Sequence, residues 1–87
     1  MLFMDIWTWE PEKRDEVAKR AAEWKCPEGI KVIGEWFDLT GHRTFYLCEV
    51  EDSKVLLAAN DYWTDVAKCE SVPVMDIEEV KKLMSGA

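Results

Sequence analysis

Along these 87 residues the chemistry changes in the order strand, helix, strand, strand, helix, strand, and few topologies can bury an apolar surface distributed in that way. Leu2–Thr8 is apolar and aromatic and ends in a turn-and-cap cluster, which predicts a first strand. Pro11, with Glu10 and Glu12 around it, opens a helix over about residues 11–24, because proline is tolerated in a first turn and acids favour the positive end of the helix dipole. Val17, Ala18, Ala21 and Trp24 share one face of it, predicting burial there, while Asp15 with Lys19 and Glu16 with Arg20 are spaced as exposed i,i+4 pairs.

Cys26-Pro27-Glu28-Gly29 breaks the chain, and Ile30–Phe37 and Arg43–Val50 then read as two strands joined by the turn-forming Asp38-Leu39-Thr40-Gly41-His42. Asp52 or Ser53 caps a second helix running to about residue 60, with Val55, Leu56 and Ala59 on one face. A fourth strand lies between residues 66 and 75, and Asp76 caps a last short helix striped by Ile77, Val80 and Met84. Right-handed crossovers convert this order into a single α+β domain over residues 1–87: a ferredoxin-like βαββαβ antiparallel sheet, spatial order 4-1-3-2, with helices on one face. Pro73 and Gly34 then fall on the two edge strands, where a missing donor or a bulge does least harm.

A sheet covered by helices on one side only should alternate apolar and polar residues. These strands do not alternate. Leu2, Met4 and Ile6 occupy one parity of the first strand and Phe3 and Trp7 the other; Phe45 and Leu47 face Tyr46, Cys48 and Val50 in the same way. Leaving the second face wet would expose more contiguous apolar surface than monomers tolerate. We therefore expect a homodimer through the helix-free sheet face, closing a dimeric α/β barrel around an enclosed space. The competing cover is the C-terminal helix folded back on its own sheet.

Charge bounds the partners. A formal charge of −7 removes the electrostatic attraction that dominates nonspecific nucleic-acid binding, so the aromatic third strand is not expected to stack RNA bases, and anionic membranes are disfavoured by the same sign. No apolar run reaches the ~20 residues of a membrane span, and Asp5 interrupts the apolar opening, so a cytoplasmic location is expected. Three widely spaced cysteines, Cys26, Cys48 and Cys69, read as reduced thiols acting as small core residues.

No motif reaches the level of a catalytic signature, and the candidates are individual residues. Asp5, set between Phe3 and Trp7, is read as a carboxylate on the dimer-facing side, where Glu49 of the antiparallel third strand would lie near it and form a pair able to do acid–base work. The plainer reading places either acid at a wet rim, bonded to a backbone group or to Arg43. Trp7, Trp36, Phe45 and Trp63, with Trp9, are candidates for the wall of a cavity that takes a flat organic ligand, against ordinary core and interface packing; Trp24 is assigned to helix packing. His42, the only histidine, is a catalytic candidate whose plainer reading is a solvated turn residue. One histidine and scattered cysteines give no metal-ligand spacing, and no glycine-rich phosphate loop indicates a cofactor, so neither is expected.

Several blocks run through most of the chain: residues 2–14, opening Leu2-Phe3-Met4-Asp5-Ile6-Trp7; residues 29–36; Cys48-Glu49-Val50-Glu51-Asp52; Leu56-Leu57-Ala58-Ala59; and Val72-Pro73-Val74-Met75. On these the chain resembles an uncharacterised prokaryotic domain-of-unknown-function family, itself similar to the dimeric α/β-barrel superfamily of small monooxygenases, decarboxylases, isomerases and regulator ligand-binding modules. The resemblance implies the fold and the dimer and transfers no catalytic residue. Two functional readings stay open: binding of a small apolar or aromatic molecule, with or without monooxygenase- or isomerase-like chemistry, and a non-enzymatic structural or regulatory interaction module.

Overall fold

The computed structural model describes residues 1–86. Four strands, β1 (Leu2–Thr8), β2 (Ile30–Phe37), β3 (Arg43–Val50) and β4 (Lys68–Val74), form one antiparallel sheet in the order β2-β3-β1-β4. Three helices accompany it: α1 (Arg14–Glu23), α2 (Ser53–Asp61) and α3 (Ile77–Ser85). This is the expected βαββαβ order read from the opposite edge. The first helix starts later than expected, because Glu10 offers no side-chain cap and Pro11–Lys13 winds as a tight 3-10 turn before the α-helical pattern begins.

Local chemistry accounts for the boundaries. Asp52 and Asp76 cap α2 and α3 by accepting from the backbone N–H groups of Lys54 and Glu78 at 2.9 and 2.8 Å. In the β2–β3 connector Gly41 takes a φ of 90°, open to glycine at little cost, and Asp38 accepts from the Thr40 N–H and from the Arg43 guanidinium. Those donors hold the Asp38 carboxyl below its ordinary range. Edge strand β2 carries a bulge between Val32 and Gly34, and a Cβ on Gly34 would sit 2.5 Å from the Trp36 ring, which folds over it. Pro73 lies on the opposite edge strand, β4, where its missing N–H breaks no central ladder.

The core is small and lies toward one end of the sheet. Leu56 of α2 packs on Cys48 and Val50 of β3, with Phe3, Ile30 and Tyr46 around them. Ala59, Val66 and Ala67 are also buried, the last two leading into β4, whose first residue pairs with Thr8 at the other end of β1. Helix α1 departs from expectation, since none of its residues is buried and Ala18 and Ala21 are exposed on the face turned toward the sheet. Its height is set at its C-terminal end. There Arg20 forks onto Asp65 at 2.7 and 2.6 Å and donates to the Tyr62 carbonyl at 3.1 Å, while Trp24 stacks against Tyr62 and Trp63 at centroid separations of 5.1 and 5.6 Å. With large rings at that end and only Val17, Ala18 and Ala21 turned down, α1 leaves a gap above the strands.

Helix α3 does not fold back on the sheet as the alternative cover required. It buries no residue, and Ile77, Leu83 and Met84 are 64%, 66% and 81% exposed. Its apolar stripe faces solvent in the single chain.

Candidate functional site

The gap between α1 and the sheet is a cavity of about 710 Å³. Its floor is the helix-side face of the strands, its roof is the Val17, Ala18 and Ala21 face of α1, and one end is walled by the indoles of Trp24 and Trp63. Trp7 stands from the floor with its ring 6.1 Å from that of Trp63, and Trp9 packs on Phe37 at 6.3 Å. The Trp9 indole N–H is buried without an acceptor, an unmade bond that costs of the order of 1–3 kcal/mol.

The floor carries polar side chains at Glu35, Thr44 and Tyr46, and at Asp5, which is 4% exposed and the one charged side chain buried among the described residues. Sheet register places it between Tyr46 of β3 and Ser71 of β4. The Ser71 hydroxyl donates to Asp5 Oδ1 at 2.6 Å, and Asn60 of α2 in turn donates to Ser71 at 3.1 Å. The second carboxylate oxygen takes no hydrogen bond from the described residues and no ion pair reaches it, so it is left to the cavity. Burial pushes the Asp5 carboxyl above its ordinary range, against the opposing pull of the Ser71 hydroxyl.

Cys26 and Cys48 line the cavity, and Cys69 lies beside Ser71 on the same sheet face. Burial, with the Asp5 charge adding to it, pushes Cys48 up to about 11, and burial likewise pushes Cys69 up to about 11 despite its contact with Ser71. Both therefore stay protonated at neutral pH and are poor nucleophiles. All three cysteines are free, and Cys26 is exposed rather than a core residue, its thiol 3.5 Å from the Ile30 carbonyl.

Several sequence expectations are relocated. Asp5 lies on the helix-covered face with Phe3 and Trp7, opposite to the side expected, because parity separates the two faces of a strand without saying which of them the helices choose. Glu49 does share a face with Phe45 and Leu47, but it pairs with Leu2 across the sheet and accepts from the Met1 amino group at 2.7 Å. The Asp5–Glu49 carboxylate pair is therefore not formed. Of the four aromatic candidates, Trp7 and Trp63 line the cavity, while Trp36 and Phe45 pair with each other on the helix-free face. His42 is exposed in the connector, outside the cavity, and contributes its carbonyl to the Trp9 N–H at 3.2 Å. Trp24 walls the cavity as well as packing α1.

Ser71 and Asn60 were not anticipated. The available signal was register: aligning Leu2 with Val74 across β1 and β4 puts Ser71, a short polar residue between Glu70 and Val72, directly beside Asp5. Among the described residues no group of three His, Cys, Asp or Glu side chains is placed to hold a metal ion, and no helix is long and apolar enough to cross a membrane.

Topology and cavity together define an α+β domain of ferredoxin-like strand order whose sheet floors a roofed, aromatic-walled chamber with one buried acid. The chain belongs to the family described as Domain of unknown function (DUF3303), whose model matches residues 1–87. No curated protein and no solved structure matches it.

Proposed function

We propose that this protein binds a small, largely apolar or aromatic molecule in the chamber between α1 and the sheet. The observation that carries this reading is a cavity of drug-ligand size, walled by indoles, into which a single buried carboxylate oxygen opens without a partner. Small-molecule sites combine those traits: apolar walls that supply affinity and one or two fixed polar atoms that set orientation. An interior packed only for stability would fill the gap, since voids forfeit dispersion contacts. Nile red, a neutral solvatochromic dye, tests it. Wild type should enhance and blue-shift its emission, and Ala21→Phe, which thrusts a ring into the chamber from the roof, should cut that enhancement severalfold. Equal dye binding by both proteins would put the dye elsewhere and defeat the reading.

A second reading, assembly as a homodimer, is favoured by a separate observation. The helix-free face carries Met4, Ile6, Phe45, Leu47 and Trp36, with Trp36 54% exposed, and no helix lies over it. A four-stranded face of this length presents roughly 450 Å² in projection. That is short of the ~800 Å² per partner of a standard interface, and the uncovered stripe of α3 would supply further area. A second copy suits both surfaces, because each chain carries one of each and a two-fold axis matches them reciprocally.

A further inference from the structure

The geometry points to an organic cation as the ligand of this chamber: a protonated amine on an apolar or aromatic body, its N–H donating to the free oxygen of Asp5 and its charge resting against the faces of Trp7 and Trp63. This inference rests on the ligand-binding reading above and names the chemical class.

Three observations carry it. Asp5 is more than nine-tenths buried, one of its oxygens opens into the cavity unpartnered, and no lysine, arginine or amino terminus pairs with it. Its hydrogen-bond partner is the neutral Ser71 hydroxyl, and the thiols of Cys48 and Cys69 near it are protonated. A buried carboxylate without a counter-charge is costly, and a ligand that brings the counter-charge recovers that cost on binding.

The walls discriminate in the same direction. Indole faces carry the negative lobe of the ring quadrupole, which attracts ammonium groups and repels anions. Trp7, Trp9, Trp24 and Trp63 supply four such rings within one chamber. Ionisable groups of the lining add to the bias: Asp5, Asp15 and Glu35 are three carboxylates against one guanidinium, Arg14, which is exposed and 3.7 Å from Asp15. With a chain charge of −7 behind them, these acids steer cations inward and turn anions away.

A neutral carbonyl compound is the main competitor, since a protonated Asp5 would donate to it. It would gain nothing from the indole faces or the acidic lining. The two are separated by titrating tryptophan emission of the full chain at neutral pH with phenethylamine, 2-phenylethanol and phenylacetate, which share one body and differ in charge. Phenethylamine should bind at least about tenfold more tightly than the alcohol, in keeping with a charge-assisted bond replacing a neutral one, and phenylacetate should bind weakest. Asp5→Asn keeps the acceptor for Ser71 and should erase the amine's advantage over the alcohol. Alcohol or acetate binding as well as the amine would overturn the cation and leave the chamber standing as a site. No binding by any of the three, together with Nile red emission indifferent to Ala21→Phe, would remove both. The ligand comparison on wild type stands even if Asp5→Asn does not fold.

Discussion

A single carboxylate sets the energetic tone at the residue scale. Because burial raises its proton affinity in the folded chain, Asp5 binds protons more readily there than when unfolded, so the folded state loses stability as pH rises from the ordinary carboxylate range through the raised value. Above that window the full penalty is present. Asp5→Asn should therefore be more stable than wild type at pH 7, with the gap closing as acid protonates Asp5 in both states near pH ~4 and below. Urea midpoints at several pH values measure this, and a gap that widens in acid would contradict the burial argument. The residue's oddity was legible in the sequence, as a charge between Phe3 and Trp7; its address was not. Both parities of β1 are apolar, so nothing in that strand alone says which face α2 will cover. The decision is made by Leu56 meeting Cys48 and Val50 of β3 and, across 53 positions of sequence, Phe3 of β1.

At the scale of elements, the strands were the more legible part. The bounds of β1, β2 and β3 coincide with those expected, because β-branched and aromatic runs end at turn residues, and Gly34 and Pro73 fall on edges as their backbone chemistry demands. The seat of α1 was not legible, since helical periodicity shows which side turns inward without showing how close it comes. The caps offer a contrast between two helices of equal length. Asp52 stabilises α2, which delivers Leu56 to the core, so Asp52→Ala should lower global stability by about 1 kcal/mol, roughly 4–8 °C in melting temperature. Asp76→Ala removes an equivalent bond from α3, which buries nothing in the single chain. In a variant kept monomeric it should reduce helical circular dichroism while leaving the melting midpoint in place. Equal losses from both substitutions would mean that α3 is integral to the subunit.

The whole molecule is elongated, 50 × 29 × 17 Å, and its apolar surface is apportioned among a small core, a hollow and an open face. Homodimerisation is testable at this level. Sedimentation should report a two-copy species at micromolar concentration, and Leu47→Asp, which places a charge in the middle of the helix-free face, should yield a one-copy species with unchanged far-ultraviolet circular dichroism. A wild-type chain that sediments as a single copy would sink the dimer. That such a face exists was readable from the failure of polar and apolar residues to alternate, since apolar residues on both parities of a strand are recorded in its composition. The hollow left no such record, because Ala18 and Ala21 read equally well as close packing or as clearance.

The off-centre position of the core has a consequence for how the fold breathes. Central strands run from Val50 and Phe3, which are clamped under Leu56, to Thr44 and Trp7, which line the cavity. The same hydrogen-bonded ladder is thus dry at one end and wettable at the other, and thermal openings that begin over Thr44 can spread some way along it before Val50 feels them. A guest filling the hollow would touch Cys48 and Leu56 as well as Thr44 and Trp7, tying the looser end of the sheet to the clamped one.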